Sequence, residues 1–309
     1  MSGSALVTGA AGFIGTGIVR ALTSSPDIGE VIGFDREAAA GVSLRGDIAD
    51  VARVAGDCPA PAIVIHCAGI TTAACERDPA EAYRVNLEGT RRLLAWCATL
   101  PYRLRFVFTS SVAVFGGGAN RVDESSAVAP ASTYGTVKAA AELLVLDAAR
   151  RGEVDGMVLR LPVTMVRTMR SGRPGAGYLS DLVVHAVERR PLVAPLPPDQ
   201  PIPVAGSRDV FAALADAAVR TDLPGRVLHV AARSLTGHDV LAALRDRGFD
   251  PQVRFEPDPT IEALTTGWPK MFESLYADDG GFGPAASLDA ILDGYLGALP
   301  GSLAGAPGS

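Results

Sequence analysis

The sequence predicts an α/β fold in which helices cover both faces of a parallel sheet. Through the first half of the 309-residue chain, short apolar runs alternate with longer amphipathic stretches, a pattern typical of βαβ units. The apolar runs are continuous, as expected for strands that are buried on both faces. Because crossovers between parallel strands are right-handed, these units give a doubly wound sheet.

The individual elements follow from local patterns. The predicted strands are the short apolar runs at 5–7, 31–34, 62–66, 104–109, 156–161 and 227–230. The predicted helices have apolar residues at helical spacing and lie at 13–24, 79–98, 132–151, 178–190 and 209–220. The second of these helices ends before Pro101, since proline disfavours the helical conformation in the residue before it.

The composition of the chain changes after Leu161. Residues 1–161 form the predicted sheet core, to which elements at about 204–231 return. The segments 162–203 and 232–299 hold Pro- and Gly-rich loops and small mixed elements, so we expect a smaller region that covers the carboxyl ends of the strands and binds the substrate. The Gly-, Ser- and Ala-rich tail at 300–309 is expected to be disordered.

Composition and charge argue against several classes of protein. The chain is 48% hydrophobic and 20% charged, which suffices for a large core. Its net charge of −6 and pI near 5.3 argue against nucleic acid or an anionic membrane as the main partner. No apolar run approaches the roughly 18 residues of a membrane span, and no signal peptide precedes the first strand. We therefore expect a cytoplasmic protein that acts on a small molecule.

Cysteine and histidine residues are placed without a metal-binding pattern. The four cysteines show no paired spacing and are expected to be free thiols in a reducing compartment: Cys58, Cys67, Cys75 and Cys97. The four histidines are scattered along the chain. A structural metal needs a cluster of ligands, so we expect no metal site.

A glycine-rich turn joins the first strand to the first helix, with the sequence Gly9-Ala-Ala-Gly12-Phe-Ile-Gly15. Gly9 permits the tight turn, Gly12 lets the backbone approach a pyrophosphate, and Gly15 allows the helix to pack closely on the strand. The helix N-terminus then offers N–H groups and the positive end of its dipole to the phosphates. A plain glycine turn would look the same, so this pattern alone does not establish a dinucleotide site.

Two features further along the chain favour a dinucleotide. Asp35 ends the second strand, 20 residues after Gly15, where a carboxylate accepts hydrogen bonds from the adenosine ribose and repels a 2′-phosphate. This favours NAD, although the adjacent Arg36 would instead cradle that phosphate and leaves NADP open. Asp47 and Ile48 follow a further predicted strand, which lies between those at 31–34 and 62–66. There they contact the adenine, or Asp47 caps a helix.

The candidate catalytic residues are Ser111, Tyr134 and Lys138. Tyr134 and Lys138 lie one helical turn apart, and an ammonium beside a phenol favours the phenolate, so this pair can exchange a proton near neutral pH. Ser111 ends a predicted strand at the edge where ligands of open α/β sheets bind, and there it can hold a substrate hydroxyl or carbonyl. Alternatively, Ser110 and Ser111 cap the loop that follows.

Asn86 lies inside a predicted helix, where an amide side chain is locally unfavourable. One interpretation is that its side chain holds a segment of backbone near the active site. The alternative is an ordinary asparagine on the helix surface.

These motifs occur in the order found in a known family. The chain resembles the extended short-chain dehydrogenase/reductases in five segments, namely Thr8-Gly9-Ala-Ala-Gly12-Phe-Ile-Gly15, His66-Cys-Ala-Gly69, Asn86-Leu-Glu-Gly-Thr90, Ser110-Ser111 and Tyr134-Gly-Thr-Val-Lys138. The resemblance implies a Rossmann-type core and a catalytic set of Ser111, Tyr134 and Lys138. It also implies a homodimer built from the helices at 79–98 and 132–151.

The same resemblance implies a set of cofactor contacts. These are Gly9, Gly12, Phe13, Ile14, Gly15, Asp35, Arg36, Asp47, Ile48, Cys67, Ala68, Gly69, Asn86, Tyr134, Lys138 and Leu161. Nucleotide-sugar dehydratases and decarboxylases of the family carry carboxylates directly after the serine. Here Val112 and Ala113 follow Ser111, which makes both chemistries less favoured.

A closer resemblance covers nearly the whole chain. The segments Ser111-Val-Ala-Val-Phe-Gly-Gly117, Leu159-Arg-Leu-Pro-Val-Thr164 and Glu256-Pro-Asp-Pro-Thr-Ile-Glu262 look like those of the D-erythronate dehydrogenases. Those enzymes oxidise the 2-hydroxyl of a four-carbon sugar acid with NAD. The segment 168–180, which is expected to roof the substrate, departs from their pattern and leaves the substrate open.

The candidate substrate residues are Thr72, Ser111, Arg167 and Arg173. The two arginines either bind a substrate carboxylate bidentately or are surface charges. The leading interpretation is an NAD-dependent oxidoreductase that acts on a D-erythronate-like acid by Tyr-assisted proton transfer. The alternatives are a sugar epimerase or ketoreductase of the same family with a different carbonyl or hydroxyl substrate, and a non-catalytic protein with the same fold.

Overall fold

The computed structural model describes residues 3–53, 56, 58–166, 177–223, 225–278 and 280–299. Its strands are β1 (Ser4–Thr8), β2 (Glu30–Asp35), β3 (Leu44–Arg45), β4 (Ile63–His66), β5 (Arg105–Ser111), β6 (Arg121–Val122), β7 (Asp155–Leu161), β8 (Val163–Met165), β9 (Leu192–Ala194), β10 (Ile202–Gly206), β11 (Val227–His229), β12 (Arg233–Leu235), β13 (Val253–Phe255) and β14 (Met271–Phe272). Its α-helices are α1 (Phe13–Thr23), α2 (Thr72–Arg77), α3 (Pro79–Ala82), α4 (Gly89–Cys97), α5 (Thr133–Arg150), α6 (Tyr178–Val187), α7 (Ser207–Val219), α8 (Gly237–Asp246), α9 (Pro259–Thr265) and α10 (Leu288–Leu296). Among these residues, no helix is long and apolar enough to cross a membrane.

The central feature is a seven-stranded parallel sheet with the strand order β11-β7-β5-β4-β1-β2-β3. The order reverses between β1 and β4, so the carboxyl ends of these two strands flank the switch point where ligands of open α/β sheets bind. The predicted fold class, a doubly wound parallel sheet, is confirmed.

Both faces of the sheet are buried, because successive strand residues point to opposite sides. On one face, Ala5 and Val7 pack against α1 and α7. On the other face, Leu6 and Phe106 pack against α4 and α5. Apolar residues at every strand position therefore find a helix to pack on, which explains the continuous apolar runs in the sequence.

Smaller sheets and helices form the rest of the structure. The sheets are β12-β10-β8, β13-β9 and β14-β6. A separate apolar cluster, with Tyr178, Leu241 and Ile291 among its members, joins α6, α8 and α10 to β8, β9, β10 and β12. The assignment of this region to substrate binding remains a prediction, and the tail 300–309 lies outside the described residues.

The structure differs from the prediction inside and at the ends of three helices. The predicted helix 79–98 contains a π-helical turn, Tyr83–Glu88, between α3 and α4. The helix predicted at 178–190 ends at Val187, because Arg189 adopts a left-handed φ of 53° and Pro191 follows. The helix predicted from 209 begins earlier, at Ser207, directly after Gly206.

Candidate active site

The glycine turn lies at the carboxyl end of β1 and is tightly packed. Gly9 has a φ of +73°, and a Cβ there would lie 2.7 Å from the backbone nitrogen of Ala68, in the loop after β4. A Cβ on Gly15 would collide with the carbonyl oxygen of Gly9. Both positions therefore require glycine, and the close packing joins β1, α1 and the loop after β4 at the switch point.

The N-terminus of α1 is suited to bind an anionic group. Gly12 is the N-cap residue, and no side chain caps the first turn. Because helix N-termini leave N–H groups without intrahelical partners, this turn can donate to a phosphate. Phe13 is half-buried, and its ring lies 5.6 Å from that of Phe211. Ile14 is partly buried against the core.

The carboxylate of Asp35 is fixed beside the glycine turn. Its Oδ2 accepts a hydrogen bond from the Ala11 N–H at 3.0 Å, and its Oδ1 accepts one from the Glu37 N–H at 3.0 Å. Arg36 is exposed, and its Nε lies 3.4 Å from Glu37 Oε1. This position fits hydrogen bonding to a ribose diol, since a carboxylate held by backbone groups keeps free acceptor sites. The residues present thus fit a dinucleotide.

Asp47 caps the turn that follows β3. Its Oδ1 accepts a hydrogen bond from the Ala49 N–H at 2.9 Å, and its Oδ2 accepts one from Arg84 at 2.8 Å. The hydrogen bond from Arg84 holds the pKa of the Asp47 carboxyl below its usual value. The neighbouring Ile48 is 5% exposed and packs against Gly89 at the start of α4. The structure thus has Asp47 in a capping position, while its contact with a cofactor remains a prediction.

Asn86 lies in the π-helical turn and holds the loop that follows β4. Its Oδ1 accepts a hydrogen bond from the Ile70 N–H at 2.8 Å, and its Nδ2 donates to the Ile70 carbonyl at 3.1 Å. A Cβ on Gly69 would lie 3.0 Å from Asn86 Oδ1, so a side chain there would crowd the amide. The loop carries the predicted contacts Cys67, Ala68 and Gly69, and the amide fixes its backbone.

Two predicted contacts flank this part of the sheet. The Cys67 N–H donates to the Thr8 carbonyl at 3.1 Å, and burial raises the pKa of the Cys67 thiol to about 12. Leu161 ends β7, is 7% exposed and pairs with Ser111 across the sheet.

Of the candidate substrate residues, Thr72 begins α2 directly after the loop and is half-buried. Arg167 and Arg173 lie outside the described residues.

Ser111 and Tyr134 lie on adjoining elements. The Ser111 Oγ accepts a hydrogen bond from the Ala113 N–H at 3.2 Å. The Ser132 side chain caps α5 by accepting from the Gly135 N–H at 3.0 Å, which places Tyr134 in the first helical turn. Because a Cβ on Gly135 would collide with the Ala113 carbonyl, the start of α5 packs directly on the turn after Ser111.

Lys138 is buried beneath Tyr134. Its Nζ lies 5.8 Å from the centroid of the Tyr134 ring and 4.6 Å from that of Phe108. The ammonium donates to the Thr109 carbonyl of β5 at 2.7 Å. Burial lowers the pKa of Lys138 to about 8, which brings its titration close to neutral pH.

A buried charged cluster next to this pair was not predicted from the sequence. Ser110, Glu142, Arg160 and His229 are each at most 6% exposed. Arg160 could have been recognised, since an arginine inside an apolar strand needs an acidic partner. Glu142 lies four residues after Lys138, on the same helix face. Among the described residues, no group of three or more His, Cys, Asp or Glu side chains could hold a metal ion.

The chain is similar to a known protein family and to known proteins over most of its length. The family model described as "NAD dependent epimerase/dehydratase family" matches residues 5–196. The chain is 31% identical to a D-erythronate dehydrogenase of Cupriavidus necator, covering 94% of this chain and 97% of that protein. It is 28% identical to a D-erythronate dehydrogenase of Haemophilus influenzae, covering 75% and 76%.

The chain is also similar in fold to a solved structure. The nucleoside-diphosphate-sugar epimerase from Agrobacterium tumefaciens superposes with a TM-score of 0.86 at 27% identity, covering 97% of this chain and 95% of that one. The description of the matched family names NAD, the cofactor that Asp35 favours.

Proposed function

Since the chain belongs to the NAD-dependent epimerase/dehydratase family, we propose that it oxidises the 2-hydroxyl of a small sugar acid similar to D-erythronate. The predicted resemblance to the extended short-chain dehydrogenase/reductases and the predicted NAD cofactor are confirmed, and the chain is an NAD-dependent enzyme of that type. The choice of a sugar acid rests on the two D-erythronate dehydrogenases, which are similar to this chain over most of its length.

The observation that carries the proposal is the buried ammonium of Lys138 beneath the Tyr134 ring. In the proposed reaction, the Tyr134 phenolate takes the hydroxyl proton of the substrate, and Lys138 stabilises the phenolate by its positive charge. Ser111 hydrogen-bonds the same substrate oxygen and holds it toward Tyr134. Bound NAD would supply the acceptor for the hydride that leaves the substrate carbon.

The residues after Ser111 favour simple hydride chemistry. Val112 and Ala113 are each 1% exposed, and Val114 is fully buried. A dehydratase needs an acid that protonates the departing hydroxyl, and this segment supplies no carboxylate for that role. The segment therefore supports a dehydrogenase over a dehydratase.

A sugar epimerase is the second candidate, favoured by the similarity to the Agrobacterium tumefaciens epimerase. An epimerase regenerates its NAD within each turnover, whereas a dehydrogenase releases NADH. The two functions therefore differ in whether NADH accumulates.

An absorbance screen at the nicotinamide band tests the proposal. The purified protein is incubated with NAD or NADP and a panel of tetronic and aldonic acids, including both enantiomers of erythronate and threonate. We expect NADH to accumulate with at least one four-carbon acid and NAD. Interconversion of a nucleotide sugar without NADH release would instead establish the epimerase.

We further propose that the protein is a cytoplasmic homodimer that pairs through α4 and α5. A groove of about 350 Å³ runs between these helices and is lined by Leu94, Ala95 and Leu144, with Arg91 and Asp147 at its sides. Leu143, on the same helix as Leu144, is 66% exposed. Sedimentation equilibrium tests the assembly, and a dimer mass that falls on Leu143→Glu substitution would support it.

A further inference from the structure

Four buried polar side chains form a continuous network beside the candidate active site. Glu142 of α5 accepts a short hydrogen bond from Ser110 Oγ. Its carboxylate also binds Arg160, whose Nε and Nη2 lie 3.0 Å from Oε1 and 2.8 Å from Oε2. Arg160 Nη1 lies 3.5 Å from Nε2 of His229, whose Nδ1 donates to the Glu273 carbonyl at 2.7 Å. The network thus pairs one buried anion with one buried cation.

The sheet register places this network at the carboxyl edge. Ser110 of β5 pairs directly with Arg160 of β7, and Arg160 pairs with His229 of β11. Glu142 reaches this row of side chains from α5. Ser110 precedes Ser111 in β5, so the network holds the strand end that carries the candidate catalytic serine.

The same carboxylate lies on the helix that carries Lys138. Burial is the largest influence on the pKa of Lys138 and lowers it, while Cys67, Cys75 and then Glu142 act in the opposite direction. Glu142 follows Lys138 by one helical turn. The other groups that face Lys138 are Tyr134 on α5, His66 and Cys67 at the end of β4, and Cys75 on α2. Burial keeps His66 neutral and raises the pKa values of both thiols, and Glu142 is the one carboxylate among these groups.

We propose that Glu142 and Arg160 are positioning residues of the reaction. Their ion pair holds the strand that carries Ser111 against the helix that carries Lys138. The negative charge of Glu142 also favours the protonated form of the lysine. The catalytic consequence rests on the proposed function, whereas the effect on Lys138 does not. Arg160 pairs with Glu142 in the interior, which offsets part of the cost of burying the two charges.

Two variants separate this role from a purely structural one. Glu142→Gln keeps the shape and removes the charge, which leaves Arg160 as an unpaired buried cation and lowers Tm by roughly 10 °C. The triple variant Ser110→Ala, Glu142→Leu, Arg160→Met replaces the whole network with apolar groups. Such replacements commonly restore stability, so its Tm should return toward that of the wild type.

The ion pair at the opposite end of the same two strands provides a matched control. Arg105 of β5 pairs in register with Asp155 of β7, and Arg105 Nη1 lies 2.7 Å from Asp155 Oδ2. Asp155→Asn therefore breaks a β5–β7 ion pair far from Lys138. We expect it to lower Tm without changing the titration of Lys138 or the pH dependence of turnover.

The sequence allows Lys138 to be observed directly. Lys138 and Lys270 are the only lysines in the chain, so protein labelled with [ε-13C]lysine gives two side-chain signals, and the exposed Lys270 serves as the internal reference. We expect the titration of Lys138 to move to lower pH by about one unit in Glu142→Gln and in the triple variant. This measurement needs neither substrate nor cofactor.

Turnover supplies the second readout once the screen has identified a substrate. In the triple variant, we expect kcat to fall at least tenfold with little change in the KM for NAD, and the alkaline limb of the pH profile to move with Lys138. A titration of Lys138 that coincides with that of the wild type would overturn the proposal, as would full recovery of kcat along with Tm. If no substrate is found, the proposed function fails, and the lysine titration still decides the role of Glu142.

Discussion

Thr8 Oγ1 lies 2.7 Å from Nδ1 of His66, and this contact joins the ends of the neighbouring strands β1 and β4. The other ring nitrogen, Nε2, lies 2.9 Å from Thr90 Oγ1. Because the Thr90 hydroxyl donates to the Asn86 carbonyl at 2.7 Å, it must accept from Nε2–H. Because burial lowers the pKa of His66 to about 3, the imidazole is neutral, so its proton lies on Nε2 and Thr8 donates to Nδ1. A chain of hydrogen bonds therefore links the glycine turn to the π-helical turn.

Acid should destabilise the protein through His66. Burial lowers the pKa of His66 from 6.5 to about 3, so the unfolded state binds a proton below pH 6.5 that the folded state does not bind. The stabilising contribution is complete above pH 6.5 and is lost as the pH falls toward 3, by about 1.4 kcal/mol for each unit. Urea unfolding at pH 7.5 and 5.0 measures this loss.

Comparison of histidine variants isolates the contribution of His66. His66→Gln should reduce the difference in unfolding free energy between the two pH values. His238→Gln, at an exposed position on α8, should leave that difference unchanged. Burial also lowers the pKa of His229, to about 4, so part of the acid effect remains in His66→Gln. An unchanged difference in His66→Gln would contradict the neutral buried imidazole.

Asn86→Ala should loosen the loop after β4. The substitution removes both hydrogen bonds to Ile70 and leaves a partly buried backbone N–H and carbonyl without these partners, at a cost of about 2 kcal/mol in unfolding free energy. Because the loop carries predicted cofactor contacts, NAD should also bind more weakly. Urea unfolding and calorimetric titration with NAD measure the two effects. Asn120→Ala, at an exposed position, is the control, and tight NAD binding by Asn86→Ala would argue against the role of the loop.

The sequence predicts much of this site because the relevant patterns are local. The glycine turn and the Tyr134–Lys138 pair each lie within one turn or one helix, so spacing alone places them. The contacts of Glu142 could not be predicted in the same way, since Ser110 and Arg160 are 32 and 18 residues away and meet it only through the strand register. The π-helical turn was also missed, because the register of that helix depends on the tertiary bonds of Asn86 to Ile70.

Tyr134→Phe should abolish turnover and leave the affinity for NAD nearly unchanged. The substitution removes the oxygen that takes the substrate proton and keeps the ring over Lys138. We expect kcat to fall by a factor of about 10² to 10⁴, the usual contribution of a positioned acid–base group. Steady-state kinetics and NAD titration measure the two effects, with the exposed Tyr102→Phe as control. Substantial turnover by Tyr134→Phe would exclude the proposed mechanism.

Lys138→Met should stabilise the protein and inactivate it. The ammonium is buried and donates a hydrogen bond to the Thr109 carbonyl, while burial lowers its pKa to about 8. Between pH 10.5 and about 8 the lysine is protonated in the unfolded state and neutral in the folded state, so stability falls as the pH is lowered through this range. This loss is complete at neutral pH, where the buried lysine therefore destabilises the fold. Methionine fills a similar volume without charge. A rise in Tm at pH 7 together with loss of turnover is expected, and a fall in Tm would show that the charge stabilises the fold.

Asp35→Asn should shift the cofactor preference toward NADP. The amide oxygen can still accept from the Ala11 N–H, although the hydrogen bond from the Glu37 N–H is lost. The negative charge that repels a 2′-phosphate is lost as well. Arg36 is adjacent and exposed, and its guanidinium can then bind that phosphate. We expect the ratio of kcat/KM for NADP to that for NAD to rise about tenfold, equivalent to about 1.4 kcal/mol. Glu30→Gln, at the exposed opposite end of β2, is the matched control, and an equal ratio in both variants would mean that Asp35 does not contact the ribose.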